Sequence, residues 1–244
     1  MHLRRLGHLA AALIAAAVLT ACSIDNTVEA DAKAPASTST ASPGRSGSPG
    51  GSADNAGLSL ADAIATLPEA EEKRAGYKRT SFRHWIDEDG DGCTTRQEVL
   101  LAEAVTPPEQ GPRCALTGGE WLSYYDEVKV TDPRNLDIDH VVPLAEAWDS
   151  GAYDWTPERR QAYANDLGAE RSLVAVTAAK NRAKGDKDPA DWMPPAESAT
   201  CTYLADWVGT KLRWGLSADS TELAALKKLS AGCKDTTVKY EKAA

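Results

Sequence analysis

The sequence predicts an α+β domain, mostly helical and stapled by disulfides, and three observations predict it. Apolar residues recur at helical spacing in several segments. Two short strand-like runs, Leu136 to Leu144 and Leu173 to Val176, are separated by a helix, and the second leads straight into a capped helix. Four cysteines remain in a chain that opens with an export signal.

The start, Met1 to Ala21, has a positive region (Arg4, Arg5) followed by an apolar run from Leu9 to Leu19. That run is shorter than the roughly 20 residues a spanning helix needs, so it predicts a secretory signal. It ends Leu19-Thr20-Ala21-Cys22, which resembles the lipobox of bacterial lipoproteins. The resemblance implies that Cys22 is acylated and that the chain sits on the extracellular face of the membrane through a lipid anchor only. Residues 22–57 are rich in Ser, Thr, Ala, Pro and Gly and nearly free of large apolar residues, which predicts a disordered tether. The folded domain is expected over 58–244.

Within it, Leu60, Ala63, Ile64 and Leu67 predict a helix over 58–77 that Pro68 interrupts. Phe82 to Ile86 is a short aromatic segment, and Asp87 to Cys93 an acidic loop. Thr94 or Thr95 caps a helix to Val105, which Pro107-Pro108 ends. Glu120 to Val130 reads as a strand. Pro157 at a first turn predicts a short helix to Asn165. Thr177 starts a helix to Lys184, and two helices near Tyr203–Trp214 and Ser220–Leu229 close the domain.

With Cys22 set aside, Cys93, Cys114, Cys201 and Cys233 form an even set in an exported chain, which favours two disulfides. Three pairings are possible; Cys93–Cys114 with Cys201–Cys233 closes short loops and is the expected one. The absence of any C-x-x-C pair argues against zinc. Net charge is −9, and loss of residues 1–21 removes two arginines and no acids, taking it to −11. Such a chain does not grip nucleic acid over its whole surface. Locally the balance reverses. Between Arg159 and Lys187 there are seven cations (Arg159, Arg160, Arg171, Lys180, Arg182, Lys184, Lys187) against three acids.

The chemistry-bearing residues lie in two pieces. Leu136-Asp137-Ile138-Asp139-His140-Val141-Val142-Pro143-Leu144 alternates polar and apolar residues up to a proline that breaks the ladder. Leu173 to Asp186 runs strand, cap, helix and Gly stop, with Asn181 and Lys184 on one helical face. Together they resemble the HNH endonuclease family, the ββα-metal or His-Me finger nucleases. The matching residues are Asp139-His140-Val141-Val142-Pro143, Asn165, and Lys180-Asn181-Arg182-Ala183-Lys184-Gly185. The third motif position is Asn181 where the family name has a second His, as in the HNH domains of RNA-guided CRISPR nucleases. The likeness is nearest to secreted actinobacterial HNH endonuclease family proteins. It covers nearly all of 77–233, including Trp192-Met193-Pro194-Pro195 and the four cysteines.

The resemblance implies a ββα-metal core inside the helical domain, acting as an endonuclease on DNA or RNA with little sequence specificity. It implies His140 as the general base on water. Asp139 and Asn181 would hold a divalent metal, Mg²⁺ or Mn²⁺, that relieves charge at the phosphate. Asn165 would brace the loop carrying His140, Lys184 or Arg182 would offset charge in the transition state, and Lys180 and Arg182 would meet the nucleic acid. A monomer is expected.

A second pattern, Asp87-x-Asp89-x-Asp91-Gly92 with Glu98 at the twelfth position, has the spacing of an EF-hand calcium loop. It predicts a structural Ca²⁺ held by Asp87, Asp89, Asp91 and Glu98. The competing function is a non-catalytic, calcium-stabilised surface lipoprotein on a degenerate HNH scaffold. A peptidase finds no support, since neither H-E-x-x-H nor G-x-S-x-G occurs.

Overall fold

In the computed structural model, which describes residues 57–244, strand β1 (Leu58–Ser59) runs into helix α1 (Leu60–Ala65). The signal peptide, Cys22 and the tether lie outside the described residues. α1 is far shorter than the helix expected over 58–77. Thr66 closes it with a side-chain bond to the Ala63 carbonyl, and Pro68 follows. Helix α2 (Thr95–Ala102) begins at Thr94, whose backbone N–H donates to Gln97 Oε1 in a capping arrangement.

Strands β2 (Glu109–Gly111) and β3 (Ala115–Thr117) pair antiparallel, as do β4 (Trp121–Ser123) and β5 (Val128–Val130). The segment read as one strand over 120–130 is therefore a hairpin. Its turn includes Glu127 at φ +56°, a conformation that alternating sequence alone does not signal. Strand β6 (Leu136–His140) is cut short by Pro143, which starts an unexpected helix α3 (Leu144–Asp149). Helix α4 (Pro157–Ala164) is capped by Thr156. Strand β7 (Leu173–Thr177) then pairs antiparallel with β6 and leads into α5 (Ala178–Lys184), which Gly185 stops at φ +63°. Helices α6 (Thr200–Trp214) and α7 (Ser220–Leu229) follow, and β8 (Thr237–Val238) returns to β1. Mixed α/β is thus the observed class, with four two-stranded antiparallel sheets among the described residues.

The β6–β7 pair separates two apolar clusters. On one face Val174 and Val176 join Tyr203, Trp207 and Leu204 of α6 and residues of α1 and α7. On the other, Leu136, Ile138, Leu173 and Ala175 meet Val99 and Leu100 of α2 with Trp121 and Val130. Complete burial of such side chains stabilises by about 1.5–3 kcal/mol each. Disulfides Cys93–Cys114 and Cys201–Cys233 form as expected, with Cα atoms 5.1 and 5.4 Å apart. Among the described residues no helix is long and apolar enough to cross a membrane.

Candidate active site

Strand alternation decides what Asp139 and His140 can do. His140 shares a face with Leu136 and Ile138, while Asp137 and Asp139 share the other, towards α5. His140 is only 6% exposed. Its Nε2 lies 3.0 Å from the carbonyl oxygen of Ala164, the last residue of α4. A carbonyl only accepts, so Nε2 carries the proton and Nδ1 keeps the lone pair. Among the described residues Nδ1 has no hydrogen-bond partner and is not sealed from solvent. The ring lies between Trp85, at 5.5 Å and tilted by 31°, and Tyr163, stacked at 6.3 Å. Burial drives its pKa down to about 3, with the Arg79 charge adding to the effect, so the ring is neutral at physiological pH.

Asn165, the C-cap of α4, is buried and uses its whole amide. Oδ1 accepts from Ile86 N (3.2 Å) and Thr95 Oγ1 (2.8 Å). Nδ2 donates to Arg83 O (2.8 Å) and Gln161 O (2.7 Å). Its bonds thus hold the 83–86 segment rather than the 140–143 turn it was expected to brace. Trp85 sits between the two clamped residues at φ +59°, a left-handed backbone that costs a non-glycine residue free energy. Asn165 makes no bond to His140; it fixes the segment that carries His84 and Trp85, whose rings lie near the His140 ring. In the sequence His84 showed only as part of the short aromatic segment from Phe82 to Ile86. Its ring does pack edge-on against Trp85 at 5.2 Å, but it also lies 6.5 Å from the His140 ring. The Phe82-Arg83-His84-Trp85 run was visible as an aromatic cluster; its proximity to His140 was not.

The expected metal pair is arranged differently. Asp139 is 5% exposed and accepts from Lys184 Nζ at 2.7 and 3.0 Å and from Tyr125 OH at 2.6 Å. Asn181 donates instead to Asp137 (3.2 Å), which Arg182 also approaches at 3.3 Å. With an ammonium beside Asp139 and the Asn181 amide one strand position pair away, these two residues do not fit a shared divalent ion in this arrangement. Lys184 is 0% exposed, so it does not reach a bound phosphate as expected. Burial pushes Asp139 up and Lys184 down, each against the attraction of the other. Of the remaining cations, Arg160 is spent on the carbonyls of Ser81, Ala152 and Trp155, and Arg159 lies over Trp155 and Trp214. The cationic zone is therefore more dispersed than its sequence density suggested. Lys180 is half-buried and Arg182 exposed on α5.

The acidic loop fits a cation better. Oxygens of Asp87, Asp89 and Asp91 lie within 4.8 Å of one another, and Glu98 reaches the same distance from Asp91. Gly90 and Gly92 take positive φ, and their N–H groups turn inward onto Asp87. Thr95 N closes the loop on Ile86 O at 2.8 Å. Burial and then the three aspartates raise the Glu98 pKa, the sign of carboxylates crowded without a counter-ion.

Fold and site together define a small disulfide-stapled α/β domain whose strand–strand–helix unit carries a neutral, backbone-anchored histidine. Residues 108–229 match the family described as the C-terminal domain of GmrSD restriction endonucleases, and the chain belongs to that family. It is also 42% identical over 175 residues to a protein of Arthroderma benhamiae described as an uncharacterized secreted protein, covering 72% of this chain and 83% of the relative. No solved structure matches.

Proposed function

We propose that this protein is an exported endonuclease of the HNH type, hydrolysing phosphodiester bonds of DNA, or of RNA, with His140 as the base that takes a proton from water. The anchoring of His140 carries this reading. Nε2–H is committed to the Ala164 carbonyl and the ring is neutral, so Nδ1 keeps a free lone pair held in one orientation. Transfer of a water proton to Nδ1 leaves a hydroxide; its oxygen bonds to phosphorus as the P–O bond to the leaving oxygen breaks, and that oxygen departs with the bonding pair. Arg79, whose charge opposes protonation of His140, would offset negative charge on the phosphate. Membership of a family named for restriction endonucleases supports a nucleic-acid substrate. The secreted description of the relative, the signal at 1–21 and two disulfides support export. Attachment through an acylated Cys22, and a monomeric state, complete the proposal.

The HNH resemblance implies Mg²⁺ or Mn²⁺ at the phosphate. Asp139 and Asn181 as arranged do not fit that ion, and no step is assigned to it. We propose a structural Ca²⁺ at Asp87, Asp89, Asp91 and Glu98, supported by Asp91 lying within 4.8 Å both of Asp87 and Asp89 and of Glu98. Such an ion would neutralise the loop that continues directly from His84 and Trp85. The lysine beside Asp139 also favours a second reading, a non-catalytic, calcium-stabilised surface lipoprotein.

The test is digestion of plasmid DNA and of RNA by the purified mature protein, with and without Mg²⁺ or Mn²⁺, beside a folded His140→Gln variant. Digestion by the wild type and at least a hundredfold less by the variant is expected. Equal digestion by both would reject His140 as the base, and none by either would leave the second reading.

A further inference from the structure

We infer that the cation Asp139 serves is the Lys184 ammonium rather than a metal ion, and that Lys184 is a positioning residue for the backbone of His140. Lys184 is the last residue of α5, and Gly185 turns the chain away at φ +63°, leaving the lysine side chain directed inward. Its three bonds run to Asp139 Oδ2 (2.7 Å), Asp139 Oδ1 (3.0 Å) and the His140 carbonyl oxygen (2.9 Å). An ammonium has three N–H groups, so this set is complete. Asp139 Oδ2 also takes the Tyr125 hydroxyl. The side chains of Lys184 and Asp139 are 0% and 6% exposed, in surroundings where an unpaired charge of either sign is strongly disfavoured.

Two further facts limit a metal here. Mg²⁺ holds oxygens at about 2.0–2.1 Å in an octahedral shell and retains several waters, which needs open volume. The space next to the Asp139 oxygens is instead occupied by Nζ. Asn181, whose amide oxygen was the other expected ligand, is tied through Nδ2 to Asp137 and makes no bond to Asp139. What the lysine does reach is the carbonyl of the proposed base. The opposite side of the same residue is tied by Nε2 to Ala164, and the next N–H, Val141 N, donates to Ser172 O at 3.1 Å. His140 is thus held from both faces of the β6–β7 pair, with Lys184 as the tie from α5. The positioning role rests on His140 being the base; the identity of the cation does not.

The experiment titrates Mn²⁺ into the intact mature protein, with excess Ca²⁺ filling the acidic loop, followed by electron paramagnetic resonance. Wild type, Asp139→Asn and the paired Asp139→Leu/Lys184→Met variant are compared. The paired variant removes both buried charges together and guards against a single variant that fails to fold. We expect the number of Mn²⁺ bound and the midpoint to agree within twofold across all three. Loss of one Mn²⁺ equivalent, or a midpoint raised tenfold or more, in either variant overturns the inference. The second arm measures nuclease kinetics of Lys184→Met and of the paired variant. A kcat lowered at least tenfold in both, with KM within threefold, is expected, because the base is untied while substrate contacts persist. Unchanged kcat in the paired variant would refute the positioning role. If the wild type has no nuclease activity, the proposed function fails, while the Mn²⁺ arm still decides which cation Asp139 holds.

Discussion

A histidine kept neutral inside a folded protein makes stability depend on pH in a direction that can be worked out beforehand. In the unfolded chain His140 binds a proton near pH 6.5; in the fold, burial lowers its pKa to about 3. Between those values the unfolded state holds a proton that the native state refuses. Stability contributed at this site therefore rises with pH through that window and is lost as pH falls below 6.5. At pH 5, 1.5 units below the unfolded value, the penalty is about 2 kcal/mol at roughly 1.4 kcal/mol per unit. Glu103 and Asp206 act oppositely. Burial raises each to about 7, so each contributes stability at low pH that is lost as pH rises from about 4 to 7. The wild-type profile mixes these effects, so the comparison is with His140→Gln, whose amide can still donate to the Ala164 carbonyl. Urea unfolding of both proteins at pH 7.5, 6 and 5 isolates the histidine. The difference should move by about 2 kcal/mol against the wild type between the ends, or about 4–8 °C in melting temperature. A difference constant within 0.5 kcal/mol, roughly the scatter of such measurements, would mean that His140 is not held neutral, and the free-base assignment would go with it.

Other outcomes follow from the same geometry. Asn165→Ala leaves the Arg83 and Gln161 carbonyls and the Ile86 N–H without partners; a loss of about 2–4 kcal/mol in urea unfolding is expected, and nuclease activity should fall with it. Chelation of Ca²⁺ should lower the melting temperature of the wild type, and Asp89→Ala should already melt low and show no further response. Replacing Cys201 and Cys233 by Ser opens a loop of 32 residues, and about 3–4 kcal/mol of stability should disappear, read by denaturant midpoint. Asn181→Ala breaks only a half-exposed contact to Asp137, and its stability should stay within about 0.5 kcal/mol of wild type, checked by the same unfolding curve.

The sequence by itself determined what depends on neighbours along the chain. Helix starts at Thr94, Pro157 and Ser220 were legible because a cap or a first-turn proline acts over three or four residues. The stop at Gly185 was legible because a left-handed C-terminus selects glycine. The β6 and β7 runs announced themselves by apolar patterning, and the acidic loop by carboxylate spacing. The even cysteine set announced two disulfides; short loops favoured one of three pairings, and the fold formed that one.

Tertiary structure alone decided which of those residues meet. Because strand neighbours point to opposite faces, Asp139 and His140 enter different surroundings despite adjacency: one a lysine and a tyrosine, the other a carbonyl and two aromatic rings. No local rule foretells that Lys184 turns inward rather than to solvent. Its inward path depends on a carboxylate on another strand offsetting the loss of hydration. Nor does the sequence around Trp85 show that it rests on His140. That contact exists because Asn165, about eighty residues away, clamps the backbone on both sides of it.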